Sequence, residues 1–99
     1  MANKERTSVG LVSDTHGYVD PFLHEAFASC VAIVHAGDIG RQEVLDELET
    51  IAPVFAVKGN IDGGDLRFLP KTRVDEVQNI LIAVMHIAGY DRRTKAVAR

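Results

Sequence analysis

Apolar residues along this chain form three short runs, separated by stretches with helical spacing. The runs lie at residues 9–12, 31–34 and 54–57. Each run is continuous rather than alternating, which is typical of strands buried on both faces of a parallel sheet. The pattern therefore predicts strands at residues 7–13, 31–36 and 54–57.

The two stretches between these runs predict helices. Asp20 and Pro21 suit the N-cap and the first position of one helix, and the second helix follows Gly40. The apolar positions of the first helix recur at helical spacing and are predicted to form its buried face; they are Phe22, Leu23, Ala26, Phe27 and Cys30. Those of the second helix are Val44, Leu45, Leu48 and Ile51. The resulting β-α-β-α-β order predicts a parallel sheet with flanking helices.

The pattern changes after Gly59. Residues 62–65 have the composition of a turn, and Pro70 punctuates the chain before the next run. Alternation at 72–78 and a continuous apolar run at 80–85 predict two paired strands that turn at Gln78 and Asn79. A helix is predicted to begin at Arg92. The expected fold class is α/β, a parallel sheet followed by the two-stranded start of a second sheet, in one domain over residues 1–99.

Composition narrows the range of partners and locations. The net charge is −3, so the chain lacks the excess of basic residues that is typical of nucleic-acid-binding proteins. No apolar run approaches the roughly 20 residues that span a bilayer, so no membrane partner is expected. The single cysteine, Cys30, fits a reducing cytosol, and a cytoplasmic location is therefore expected.

Polar signatures follow the predicted strands at the point where each strand ends. The candidate ligands among them are Asp14, His16, Asp38, Asn60 and His86. In open α/β sheets, ligands bind outside the carboxyl ends of the strands, where the loops converge. Imidazole nitrogens and carboxylate or amide oxygens suit Mn, Fe, Zn or Ni. These residues therefore predict a divalent-metal site at one edge of the sheet.

The spacing of the ligands is compatible with two ions. Asp14 and His16 are two residues apart and project the same way in an extended segment. The carboxylate of Asp38 could bridge two ions through its two oxygens. Two ions about 3.5–4 Å apart bind both a nucleophile and phosphate oxygens.

Each candidate also has a purely structural interpretation. Asp14 could cap a turn, Asp38 could cap the second helix, and Asn60 with Asp62 could form only a turn. His35 lies inside a predicted strand, which favours a core histidine over a ligand. His24 lies off the apolar stripe of the first helix and is expected at the surface.

Taken in order, the signatures Ser13-Asp14-Thr15-His16-Gly17, His35-Ala36-Gly37-Asp38 and Lys58-Gly59-Asn60 resemble those of the calcineurin-like metallophosphoesterases. The small bacterial and archaeal phosphodiesterase branch is the most similar, and Leu69-Pro70 and His86-Ile87-Ala88-Gly89-Tyr90 extend the resemblance over nearly the whole chain. The resemblance implies an αββα sandwich and hydrolysis of phosphodiesters or phosphomonoesters by a hydroxide that bridges two metals.

The resemblance also implies a role for each ligand. Asp14 and His16 would hold the first ion, Asp38 would bridge, and Asn60 and His86 would hold the second ion. Manganese is the first metal expected, with Zn, Fe, Ni or Mg as alternatives. Asp62 is a further candidate for a catalytic role. Asn60 and Arg67 are candidates for contact with the substrate phosphate, as are Arg92 and Arg93.

Two departures from the family pattern qualify these expectations. Ile61 stands where the family often has a histidine or cysteine, and its side chain cannot protonate a leaving group. The family's later Gly-His-x-His signature is not found in these 99 residues. The sequence therefore predicts an incomplete sandwich, weakened metal binding, and weak or absent activity of this chain alone.

Three other interpretations compete with a phosphoesterase. A non-catalytic scaffold of the same fold, like the retromer subunit, is one alternative. A nucleotide-binding protein on a Rossmann-like sheet is disfavoured, because neither G-x-G-x-x-G nor a P-loop motif occurs. Self-association or strand exchange could cover the incomplete second sheet, so a homo-oligomer is a further alternative.

Overall fold

The computed structural model describes residues 7–86. The strands are β1 (Val9–Val12), β2 (Ala32–His35), β3 (Val54–Ala56), β4 (Thr72–Val77) and β5 (Ile80–Met85). The helices are α1 (Phe22–Ala26), α2 (Gln42–Glu49) and a 3₁₀ turn at Gly64–Leu66. The predicted helix from Arg92 lies outside the described residues.

The first three strands form a parallel sheet in the order β1-β2-β3. Val12 pairs with His35, and His35 pairs with Ala56, so the carboxyl ends of all three strands are in register. The predicted β-α-β-α-β arrangement is confirmed. In such a sheet, the loops that follow the strands must meet at one edge.

The last two strands form an antiparallel hairpin in a separate sheet. Gln78 and Asn79 connect them, with φ of 48° and 72°. Positive φ at both central residues is what a two-residue type I′ turn requires, so the predicted turn is confirmed. Arg73 links the hairpin to the first sheet, because its Nη1 donates to the carbonyl of Ala56 over 3.1 Å.

The core lies between the parallel sheet and helix α2. Val44, Leu45 and Leu48 of α2 are buried, as their spacing predicts, and they cluster with Ile33 of β2 and with other apolar residues. Burial of side chains this size contributes roughly 1.5–3 kcal/mol each relative to full exposure. In the described part of the chain, no helix has the length and apolarity that a bilayer span needs.

Helix α1 is shorter than the pattern predicts. The apolar spacing continues to Cys30, but the helix ends at Ala26, and Phe27 leaves helical geometry with φ of −101° and ψ of 10°. Leu23 and Phe27 still pack against the core. Phe22 and Ala26 are exposed, so their predicted burial is wrong. One and a half turns can direct only part of the stripe towards the sheet.

The start of α1 lies one residue later than predicted, because Pro21 rather than Asp20 occupies the N-cap position and the helix begins at Phe22. The carboxylate of Asp20 accepts a hydrogen bond from the backbone N–H of Phe22 over 2.9 Å. This bond satisfies one of the donors that a helix start leaves unpaired. Asp20 therefore fixes where the chain turns into α1 after the loop that follows β1.

Candidate metal centre

The loops after β1 and β2 continue the hydrogen-bond ladder of the parallel strands. The N–H of Asp14 donates to the carbonyl of Gly37 over 2.9 Å, and the N–H of His16 donates to that of Asp38 over 3.1 Å. The ladder fixes the backbone of three candidate ligands at the same edge of the sheet.

The side chains of Asp14, His16 and Asp38 come together at this edge. One potential ligand atom from each lies within 4.8 Å of the others. The Nε2 atom of His16 is 3.9 Å from Asp14 Oδ1 and 3.9 Å from Asp38 Oδ2. Two carboxylates and an imidazole converging at this spacing are a donor set that suits a divalent ion.

These three residues share an uncommon backbone conformation. Asp14, His16 and Asp38 have φ of 57°, 50° and 58°. The left-handed region is sparsely populated by residues other than glycine, although Asp and His enter it more readily than most. Within residues 7–86, the other non-glycine residues with positive φ are Gln78 and Asn79 of the hairpin turn. Strain of this kind clusters at functional sites.

His86, which follows β5, reaches the same cluster. Its Nδ1 lies 2.8 Å from the carbonyl oxygen of Ala36, and its Nε2 lies 3.5 Å from Asp38 Oδ1. A carbonyl oxygen can only accept, so Nδ1 carries the proton and the lone pair of a neutral ring is on Nε2. Metal-ligating histidines usually have this arrangement, with the other ring nitrogen bonded to a carbonyl or carboxylate.

Asp38 occupies the centre of the cluster. Its Oδ1 faces His86 and its Oδ2 faces His16, at 3.5 and 3.9 Å from the Nε2 atoms. Its side chain is only 13% exposed. A carboxylate with its two oxygens directed at two different imidazoles has the geometry of a bridge between two ions.

The loop after β3 meets Asp38 through its backbone. A Cβ atom at Gly59 would lie 2.1 Å from the nitrogen and 2.2 Å from Oδ1 of Asp38, so only glycine fits there. The N–H of Ile61 donates to Asp38 Oδ1 over 3.3 Å. Asn60, between these two residues, is exposed and lies at the same edge of the sheet.

The buried carboxylate of Asp62 ties these loops together. It is 5% exposed and accepts hydrogen bonds from the N–H groups of Ile39, Gly40 and Gly59 over 3.1, 2.9 and 2.8 Å. Burial by itself raises the pKa of Asp62, but the backbone donors outweigh it and hold the pKa below its ordinary value. Asp62 is therefore ionised, and its carboxylate oxygens already accept backbone N–H groups. This environment suits a positioning role for Asp62 better than the predicted catalytic role.

A second network runs through His35, which is fully buried. The N–H of Gly37 donates to His35 Nδ1 over 3.1 Å, so Nε2 carries the proton and donates to Thr15 Oγ1 over 2.9 Å. The Thr15 hydroxyl donates in turn to the carbonyl of Ile39 over 2.9 Å. Burial lowers the pKa of His35 to about 4, so the ring is neutral. His35 is a core histidine, as its place in the strand predicts.

The sequence does not reveal the part played by Thr15. Its side chain bonds both His35 and the carbonyl of Ile39, which connects the loops after β1 and β2. The segment from Asp14 to His16 is also not the extended one predicted, because Asp14 and His16 have φ of 57° and 50°, so strand alternation does not set their directions.

The charge of Asp14 is stabilised locally. The Ser13 hydroxyl donates to Asp14 Oδ2 over 2.7 Å and lowers the pKa of the carboxyl, while partial burial opposes this. Asp38 and the two nearby histidines, His16 and His86, lower the pKa of Asp14 further. An ionised Asp14 is the form that ligates a metal.

Arg67, a candidate contact for the substrate phosphate, makes local contacts. Its Nη1 donates to the carbonyl of Gly64 over 2.6 Å, and its guanidinium lies 4.3 Å from the centroid of the Phe68 ring. Both partners belong to the segment around the 3₁₀ turn. The structure does not bring Arg67 into contact with the ligand cluster.

Comparison with known proteins agrees with this fold and cluster. Residues 8–99 match the calcineurin-like phosphoesterase superfamily domain, and the chain belongs to this family. A probable metallophosphoesterase of Methanothermobacter thermautotrophicus is 34% identical over 89 residues, which cover 85% of this chain and 52% of that protein. Another from Methanocaldococcus jannaschii is 37% identical over 83 residues, covering 79% and 42%. The chain spans about half the length of these curated relatives.

Solved structures share the same fold. Vps29 of Entamoeba histolytica complexed with Zn²⁺ matches with a TM-score of 0.67 and 24% identity, over 91% of this chain and 56% of that one. Vps29 of Chaetomium thermophilum matches with a TM-score of 0.68 and 15% identity, over 91% and 50%. A predicted phosphoesterase of Streptococcus pneumoniae matches with a TM-score of 0.57 and 22% identity, over 79% and 44%. At these identities the likeness concerns the fold alone.

Proposed function

We propose that this chain carries a two-metal centre that hydrolyses phosphodiesters or phosphomonoesters. The observation that carries the proposal is Asp38, whose two carboxylate oxygens face His16 and His86. Membership of the calcineurin-like phosphoesterase superfamily supports the reaction class.

The donor set fits divalent ions. Asp14 and His16 would hold one ion, and Asn60 and His86 would hold the other. Asp38 would bind both ions. When bound, such ions polarise phosphate oxygens and lower the pKa of water. Manganese is the metal we expect first, because oxygen donors predominate and the two imidazoles do not exclude it.

The residues around the ligands hold them in place. The bond from His86 Nδ1 to Ala36 keeps Nε2 directed at Asp38. Asp62 fixes the backbone at Gly59 and Gly40, on either side of the bridging carboxylate. Arrangements held by such supporting contacts keep ligand geometry within the narrow limits that catalysis needs.

Substrate contacts are proposed at the rim of the cluster. The exposed amide of Asn60 can donate to a phosphate oxygen, and Arg67 is a second candidate if its side chain exchanges its bond to Gly64. Ile61 is exposed and has no proton to give. Protonation of a leaving group must therefore come from solvent or from another residue.

We expect slow turnover, because few histidines can serve the ions. The chain has four histidines. His24 contacts Glu47 at the surface, and His35 is buried with both ring nitrogens bonded. His16 and His86 therefore provide the imidazole ligands that this chain can offer, one for each ion.

The test is hydrolysis of bis(p-nitrophenyl) phosphate by the purified chain with Mn²⁺. We expect a slow release of nitrophenolate that EDTA abolishes and that the Asp38→Asn variant lacks. Asp46→Asn, which alters an exposed carboxylate on α2, is the matched control and should keep the activity. Turnover that is absent with every divalent metal, or that is unchanged in Asp38→Asn, would contradict the proposal.

A non-catalytic interaction function is the second candidate. The outer face of the hairpin exposes Val74, Leu81 and Met85 to solvent. An apolar patch of this kind is typical of an interaction surface. A chain that binds no metal and shows no turnover, yet associates through this face, would favour the interaction function over catalysis.

A further inference from the structure

A cavity of about 260 Å³ lies directly beside Asp14. The loop after β1 contributes Asp14 and Thr15 to its lining, and the segment around α1 contributes Tyr18, Phe22 and Leu23. Asp14 belongs both to the lining of this cavity and to the ligand cluster, so the cavity adjoins the candidate metal centre at this carboxylate.

Two aromatic rings border the cavity and face solvent. Tyr18 and Phe22 are each 64% exposed. The helical pattern predicts that Phe22 is buried, yet its neighbour Leu23 packs on the core while Phe22 does not. Positions that break a local rule without a gain in packing are where functional sites are expected. Two such rings on one cavity form a surface on which a flat group can stack.

The charges around the cavity exclude a second phosphate as its occupant. No lysine or arginine belongs to its described lining. Asp20 lines it as well, but that carboxylate accepts the N–H of Phe22. An anionic group would therefore meet carboxylates and no cation. A neutral ring would meet the aromatic side chains of Tyr18 and Phe22 and the apolar side chain of Leu23.

The size of the cavity limits the occupant further. Pockets that bury drug-sized ligands measure about 300–1,000 Å³, so a cavity of about 260 Å³ holds one ring system rather than a larger molecule. The rest of the ligand must extend out of it, and the ligand cluster lies at the Asp14 end.

We propose that Tyr18 and Phe22 bind the aromatic ring of a phosphoester substrate whose phosphate lies at the metal centre. The substrate class is phosphoesters that carry an aryl group or a nucleobase. This inference rests on the proposed function, since the metal centre supplies the site for the phosphate.

Binding to the Zn²⁺-loaded chain tests the inference without relying on turnover. NMR titrations compare phenylphosphonate with methylphosphonate, and adenosine monophosphate with ribose 5-phosphate. Each pair has the same anionic group and differs in the ring. We expect the ring to increase affinity about three- to tenfold in at least one pair, which is the range that one aromatic contact contributes.

Variants show whether the increase comes from these two side chains. The Tyr18→Ala/Phe22→Ala double variant should lose the advantage of the ring and keep its affinity for the ligand that lacks it. Phe68→Ala is the matched control, because Phe68 is also an exposed ring, at 80%, and does not line the cavity. It should behave as the unaltered chain does. The double variant and Phe68→Ala remove only exposed rings, so both should retain the fold.

The possible failures are distinguishable. If both members of each pair bind equally well, or if the double variant keeps the advantage, the aromatic site is wrong while the metal centre stands. If no phosphonate or phosphate ester binds to the metal-loaded chain, the proposed function fails and this inference fails with it.

Discussion

A single carboxylate, that of Asp62, joins two loops that lie far apart in the sequence. Its partners at Ile39 and Gly40 follow β2, and its partner at Gly59 follows β3. At the residue scale, buried polar groups therefore fix the backbone of the loops that carry the candidate ligands. Asp62 accepts backbone N–H groups of both loops, and His35 bonds the N–H of Gly37 and the hydroxyl of Thr15.

Replacement of Asp62 by alanine should destabilise the chain strongly. Three backbone donors, two buried and one partly buried, would lose their acceptor. Each unpaired donor costs about 1–3 kcal/mol, so we expect a loss of about 3 kcal/mol or more. Urea denaturation measures the change. Asp65→Ala, at an exposed carboxylate in the same segment, is the control and should stay within about 0.5 kcal/mol. Equal midpoints for the two variants would show that Asp62 does not hold the loops.

The neutral state of His35 predicts a pH dependence of stability. Its pKa is about 4 in the folded chain, against an ordinary value of 6.5, so below 6.5 the unfolded chain binds the proton more readily. Stability is therefore fully present above pH 6.5 and is lost as the pH falls towards 4. The difference corresponds to about 3 kcal/mol.

A comparison with His35→Gln isolates this contribution. In metal-free buffer, denaturation at about pH 7 and about pH 4.5 should show that the unaltered chain loses about 2–3 kcal/mol more than the variant does. Parallel losses in the two proteins would mean that His35 titrates alike in the folded and unfolded chains.

At the scale of elements, the site depends on how closely the loops after β2 and β3 approach. Gly59 allows this approach, because a side chain there would overlap the backbone and carboxylate of Asp38. The strands themselves bring the loops to one edge, and glycine permits the remaining approach, because a Cβ at position 59 would lie 2.1 Å from the nitrogen of Asp38.

Gly59→Ala should therefore damage the metal centre. The added methyl group would force Asp38 to move, with a loss of about 1–3 kcal/mol in stability and about 10- to 100-fold in metal affinity. Isothermal titration with Mn²⁺ measures the affinity. Gly63→Ala is the matched control, since nothing lies within 4 Å of a Cβ at that position. An unchanged affinity in Gly59→Ala would contradict the proposed contact with Asp38.

Much of the fold at this scale could be predicted from the sequence. The continuous apolar runs identify β1, β2 and β3, and the paired residues Gln78 and Asn79 identify the hairpin turn. The pattern of α1 misleads, because the helical spacing persists to Cys30 although the helix ends at Ala26. Local spacing indicates which face could be buried, and it does not fix how many turns dock on the sheet.

The site is predictable to a lesser extent. Position at strand ends suffices to select Asp14, His16 and Asp38, which the structure brings together. The bonds of Asp62 to residues 22 and 23 positions earlier in the chain depend on the tertiary arrangement of the loops. No local pattern encodes such contacts, so the supporting residues became recognisable only in the structure.

At the scale of the whole molecule, the hairpin is covered on one face. Arg73, Ile82 and Val84 are partly buried on the inner side, while Val74, Leu81 and Met85 are exposed on the outer side. A two-stranded sheet with an apolar outer face has both open edges and unprotected surface in the described part of the chain. Self-association through this face is a proposal that follows from that exposure.

Leu81→Glu should reduce such association. Leu81 is 73% exposed, and a charge there would disfavour burial of the face against a second copy. Sedimentation velocity over a range of concentrations measures the effect, with Ser29→Glu as a control that adds the same charge at an exposed turn. We expect the unaltered chain and Ser29→Glu to associate more than Leu81→Glu does. If the unaltered chain is monomeric at every concentration, association through the hairpin is ruled out.

We propose that residues from several strand ends form one metal centre bridged by Asp38. Isothermal titration of the purified chain with Mn²⁺, and separately with Zn²⁺, measures whether this centre exists, with Asp38→Asn and Asp46→Asn in parallel. We predict about two bound ions for the unaltered chain and for Asp46→Asn, and an affinity reduced at least about tenfold in Asp38→Asn. Binding that is absent from the unaltered chain, or that is the same in Asp38→Asn, would contradict the claim.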